Sequence, residues 1–185
     1  MLQPIESTKD KNYFKLPPFT LGLQQAPWRL GHRIWGRRPT IEFLINLGWW
    51  WDFRWNPYDK IVQSNICLGD ISPEGGASKR DPVNDHKTHN NGHAVDIFYI
   101  RKDGKPEKTS ILQQHKDSYD FEQNLRLAKM IVHTANRLGL IIGFAHCNDK
   151  KIQAEVPNFT TFVGHDDHFH VFIVHPSEAP KNHRR

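Results

Sequence analysis

A chain of 185 residues, 37% hydrophobic and 24% charged, is long enough for one domain with a sizeable core and too mixed for a long disordered tail. Its net charge of +5 suits an anionic partner, but the densest basic groups, Arg37-Arg38 and the terminal KNHRR, sit in no nucleic-acid-reading motif, so nucleic-acid binding is not expected. Two cysteines, Cys67 and Cys147, exclude a disulfide framework and a Cys-rich zinc module, and no run approaches the ~20 apolar residues of a membrane span.

Residues 1–27 read as an irregular, extended lead, broken by Pro17, Pro18 and Pro27. The first residues carry neither the basic start nor the apolar stretch of a signal peptide. RRPTIEFLINLGWWW, from Arg37, reads as a helix with Thr40 as N-cap and Glu42 in the first turn, where the helix dipole favours a carboxylate. All six tryptophans lie between Trp28 and Trp55, and packing of large aromatics in the core is the first reading for them. The other is one wall of a substrate groove.

KIVQSNICLGDIS reads as a strand, the Pro- and Gly-marked stretch from Ser72 to His89 as a loop, and HAVDIFYI as a second strand followed by a turn. The clearest helix is FEQNLRLAKMIVHTANRLG: Phe121, Leu125, Ala128, Ile131, Val132, Ala135 and Leu138 recur at steps of three and four, and Gly139 stops it. LIIGFAHC and HFHVFIV read as strands, and a basic tail fills residues 177–185. This order predicts a single α+β domain over residues 28–176, with a central, largely antiparallel sheet and flanking helices.

The chemistry is carried by histidine. Of twelve histidines, seven fall in two short windows: His86, His89 and His93 in the first, and His165, His168, His170 and His175 in the second. In HFHVFIV the side chains alternate, so His168 and His170 share one face, about 7 Å apart along the strand, and both reach one small site. Asp96 interrupts an apolar strand, and a buried lone carboxylate is costly unless it is paired or bound to metal. His89 lies in the loop that leads to that strand, and Asn90-Asn91-Gly92 lets the loop turn back. Two histidines and an aspartate leave a fourth position open, as in a catalytic zinc site. Spacing alone allows either His168 or His170 as the third ligand. His32, His93 and His175 read as structural, and His115, His133, His146 and His183 as ordinary helix, loop or tail residues. HExxH, Gly-x-Ser-x-Gly, the P-loop and the cysteine-protease signature are all absent.

HNNGHAVD fits a His-x6-Asp motif and HFH a His-x-His motif, and together they resemble the metallopeptidases that include lysostaphin, D-Ala-D-Ala carboxypeptidases and murein endopeptidases. Within that group the chain looks most like penicillin-insensitive murein endopeptidase. LGDISPEGG, HKTHNNGHAVDI, HDDHFHV and RIWGRRPTIEFL carry the likeness, over roughly residues 30–175. The resemblance implies one zinc ion held by His89, Asp96 and His170, with His168 beside the metal-bound water; a neutral imidazole there, His168 first, is the expected general base. It implies that His86 and His165 line the site, binding substrate or stabilising the oxyanion. Asp166 and Asp167 are expected to orient a neighbouring imidazole. His93 and Ala94 stand where Leu and Asp are usual in the family, and Phe172 where Arg often follows, which bears on substrate contacts.

The function so implied is hydrolysis of peptide cross-links in bacterial peptidoglycan, with peptidoglycan peptides as the partner and the cell wall as the place of action. The rivals are a D-Ala-D-Ala dipeptidase or carboxypeptidase of the same group, and a zinc-containing wall-binding module without catalysis.

Overall fold

In a computed structural model of the chain, the residues described are 3–18, 20–26, 33–55, 65–76, 89–105 and 117–179. In chain order they form β1 (Ile5–Glu6), β2 (Tyr13–Lys15), β3 (Leu23–Gln25), β4 (Trp35–Arg37), α1 (Arg38–Trp55), β5 (Ile66–Leu68) and β6 (Ala94–Phe98). There follow α2 (Phe121–Arg137), β7 (Ile141–His146), α3 (Lys150–Glu155), β8 (Phe159–Thr160) and β9 (His168–Val174). The architecture is α+β: a mixed sheet in the order β3-β5-β6-β9-β7-β8, and a small antiparallel sheet β1-β2-β4.

The centre of the large sheet is antiparallel, β5 to β6 to β9 to β7, while the edge pairs β3–β5 and β7–β8 are parallel. A parallel pair needs a crossover, and between β7 and β8 the short helix α3 supplies it. Asp149 caps that helix, its side chain accepting from the backbone N–H groups of Lys151 and Ile152.

Strand alternation divides the sheet into two unlike faces. Val95 and Ile97 of β6 and Phe169, Val171 and Ile173 of β9 are fully buried against α1 and α2, which contribute Ile41, Leu44, Leu47 and Trp51, and Leu127, Ala128, Ile131 and Ala135. The alternate residues, Asp96 on β6 and His168, His170 and Phe172 on β9, face the other way. One face is therefore the core, and the polar residues collect on the other. Truncating a core residue such as Phe169 to Ala would cost about 3–5 kcal/mol.

α2 follows its 3.6-residue period. Asp120 accepts from Gln123 N at its start, and Gly139 stands just past its end at φ +65°, a left-handed position that suits glycine. α1 begins earlier than expected, at Arg38, which moves Thr40 inside the first turn. Thr40 is not the N-cap: its hydroxyl is buried and has no hydrogen-bond partner. Glu42 lies in the second turn and pairs with Arg38 at 3.2 Å. Of the tryptophans, Trp51 is in the core and Trp50 packs at its edge, in ring contact with His133.

Residues 1–27 differ from the irregular lead expected of them. They supply β1, β2 and β3; β2 pairs with β4, and β3 joins the large sheet beside β5. Strands of two or three residues are too short to show an alternating pattern, so proline content dominated the sequence reading. Of the basic tail, Ser177–Ala179 form a turn on His175 and the remainder lies outside the described residues.

Candidate metal centre

β6, β9 and β7 place Asp96, His170 and His146 in one row: Asp96 is the register partner of His170, and His170 that of His146. The Asp96 carboxylate is the hub. Its Oδ1 lies 2.8 Å from His170 Nδ1, 3.3 Å from His89 Nε2 and 3.4 Å from His168 Nε2. Burial alone would raise the Asp96 pKa, but hydrogen bonds from His170 and His89 outweigh it and hold the carboxyl well below its usual range. The same contest has opposite outcomes on the two rings. Burial pulls His89 down, yet Asp96 wins and raises it. In His170 burial, with the neighbouring His89 and His168, overrides Asp96, so its pKa is lowered.

The delivery of His89 is the work of the small sheet. His89 is 1% exposed, and its Nδ1–H donates to the Ile71 carbonyl at 2.8 Å, which leaves Nε2 to face Asp96. The loop after it turns at Gly92, φ +73°. Three bonds hold this turn: Tyr13 Oη–H donates to Asn90 O at 3.1 Å, Arg37 Nε–H to Asn91 O at 3.1 Å, and Arg37 N–H to Gly92 O at 2.8 Å. The Arg37 guanidinium also lies over the Tyr13 ring, 4.6 Å from its centroid. On the other flank, Gly69 N–H donates to Asp96 O at 2.8 Å, so closely that a Cβ on Gly69 would stand 2.9 Å from Asp96 Cβ.

His168 borders the hub. Its Nδ1 lies 2.5 Å from Asp167 Oδ1, which fixes the ring and its tautomer. Asp166 does not orient a histidine; it accepts from Asn148 Nδ2 at 2.6 Å. His165 is half-buried beside His168 and His170, ring centroids 4.8 and 5.2 Å away. Burial, with the charges of His168 and His170, lowers its pKa to about 4. His86 lies outside the described residues. His93 turns aside: its Nδ1–H donates to Ile173 O at 3.0 Å and its ring rests near Phe172. His175 sits at the exposed end of β9, bonded to Ser177.

His146 is the residue that sequence reasoning missed. It lies at the end of β7 beside His170 and His165, with ring centroids 6.0 and 5.2 Å away. It also stacks on Phe144 and on the exposed Phe162. The alternation Phe144-Ala145-His146 was the available signal, since it sets Phe144 and His146 on one face of a strand.

Among the described residues two sets of side chains can hold a metal ion: His89, Asp96 and His170, and His165, His168 and His170. In each set the ligand atoms lie within 4.8 Å of one another. Two imidazoles and a carboxylate, or three imidazoles, are donor sets suited to zinc and its neighbours. Both cysteines are free and buried and belong to neither set. No described helix is long and apolar enough to cross a membrane. The chain matches no protein-family model and no curated protein.

Proposed function

We propose that the chain is a zinc-dependent peptidase that hydrolyses peptide cross-links of bacterial peptidoglycan, a murein endopeptidase acting at the cell wall. The observation that carries the reading is the convergence of His89, Asp96 and His170 on one point of the sheet, with His168 beside it. Three protein ligands leave a coordination position for a reactant, the pattern of catalytic rather than structural zinc. A zinc ion bound there supplies a Lewis acid for a peptide carbonyl and a water of lowered pKa.

The chain's own residues would do the rest. His168, its Nδ1 held by Asp167, presents Nε2 to take the proton of the attacking water and return it to the leaving amine. His165, its Nδ1–H held by Val163 O, presents the Nε2 lone pair beside His168, placed to accept a hydrogen bond from a substrate N–H. His146, Phe144 and Phe162 form a stacked aromatic strip beside His170 against which a substrate can lie.

Purified peptidoglycan digested by the full chain, with and without a chelator, tests the reading. Mass analysis should show cross-linked dimers converted to monomers, with activity lost on chelation and restored by zinc. Release of free D-alanine alone would favour a carboxypeptidase, and no hydrolysis in zinc would sink the proposal.

A further inference from the structure

The second donor set has a feature that the peptidase reading does not use. In His165, His168 and His170 alike, Nδ1 is already engaged: by Val163 O at 3.1 Å, Asp167 Oδ1 at 2.5 Å and Asp96 Oδ1 at 2.8 Å. A carbonyl or carboxylate oxygen only accepts, so each Nδ1 carries the proton and each Nε2 keeps its lone pair. The His165 ring lies 4.8 Å from that of His168 and 5.2 Å from that of His170, centroid to centroid, and each of the three side chains can bring a ligand nitrogen within 4.8 Å of the others. Three imidazoles whose nitrogens come this close are a ligand set for a divalent transition metal.

We infer that His165, His168 and His170 form a second metal position, which shares His170 with the first. A neutral imidazole has one lone pair. His170 belongs to both donor sets, and that one lone pair can bind one ion. The two positions therefore compete for one ring, and the ion occupies one or the other. An ion in the second position also takes His168 out of proton transfer, so it is an idle form of the site. The inference rests on the peptidase reading only for that last consequence; the competition for His170 follows from the donor geometry.

The test uses the full chain and metal alone. Co2+ binding is followed by visible absorption and Zn2+ binding by calorimetry, in wild type, Asp96→Asn, His165→Ala and the double variant. Asp96→Asn keeps a side-chain oxygen to accept from His170 and removes the carboxylate of the first position. It should still bind one ion, at least about tenfold more weakly than wild type and with a changed Co2+ spectrum. Adding His165→Ala should weaken it by a further tenfold or more, while His165→Ala alone should stay within about threefold of wild type. Circular dichroism checks that each variant is folded, and His165, on a half-buried loop, is the safest to replace. Two outcomes would overturn the second position: an Asp96→Asn protein, folded, that binds no metal, or one whose binding ignores His165. Wild type that binds metal in both ways but cleaves no peptidoglycan would remove the peptidase reading and leave the second position standing.

Discussion

His170 and Asp96 stand opposite each other across β9 and β6, with Nδ1 and Oδ1 2.8 Å apart although 74 positions separate them in the chain. His170 is also the member common to both donor sets. Its replacement is therefore the most damaging single change at the site. His170→Ala should leave no metal bound after dialysis, measured by elemental analysis, and no hydrolysis. Loss of its hydrogen bond also leaves a buried carboxylate with fewer partners, a destabilisation of about 1–3 kcal/mol visible in denaturant titration. Retention of one equivalent of zinc would remove the metal centre as described.

His168 differs from His170 in what it is expected to hold. It belongs to the second donor set but not to the first, and Asp167 orients it. His168→Ala should keep one zinc equivalent with near wild-type affinity while turnover falls by about 10²–10⁴-fold, the usual contribution of a general base. The split between retained metal and lost rate is the readout. A variant that loses metal and rate together would make His168 a ligand and require a different base.

The small sheet contributes no ligand, yet it should control metal affinity through His89. Arg37→Ala removes the bond to Asn91 O and the cation over Tyr13, and frees the turn that delivers His89. Zinc affinity should fall roughly tenfold, as for other partners that orient a ligand. Gly92→Ala should act more strongly. It forces an L side chain to φ +73°, and its Cβ would stand 2.8 Å from Tyr13 Cε1 and 3.0 Å from Arg37 N. Strain of this kind costs about 1–3 kcal/mol. Arg38→Ala is the control: its pair with Glu42 is surface-exposed, so metal affinity should be unchanged.

Much of this site is legible in the sequence because its residues obey local periods. HFHVFIV alternates, so the pairing of His168 and His170 on one face, with Phe169, Val171 and Ile173 in the core, follows from the period of two. α2 shows its period of 3.6 over 17 residues. Asp96 announced itself as a charge inside an apolar strand. What stayed hidden depends on partners distant in the chain. His146 joins the site only because β7 runs beside β9 in a register that places it opposite His170. Tyr13 and Arg37 matter only because β2 and β4 meet the His89 loop. The start of α1 is not legible from residue type: Thr40 is a good cap residue, yet the helix begins at Arg38 and packing buries the Thr40 hydroxyl inside the first turn.

The two thiols give a prediction independent of the metal centre. Burial pushes Cys67 up to about 12; Cys147, buried against the Tyr99 hydroxyl at 3.3 Å, is pushed up to about 11 from an ordinary 9.0. The thiolate is the reactive form. Near pH 8 the folded protein should therefore present roughly a hundredfold less Cys147 thiolate than an ordinary cysteine, and less still of Cys67. Both should resist a thiol-alkylating reagent until denaturant is added, and both should then react. The same shifts set a stability window. Below about pH 9 both thiols are protonated in the folded and unfolded chains, and their contribution is fully present. Between about 9 and 11 the unfolded chain loses the Cys147 proton while the folded chain keeps it, so stability should decline as pH rises. Replacing Cys147 by Ala should flatten that alkaline decline in chemical denaturation curves. A decline of the same steepness in the variant would assign it to other groups.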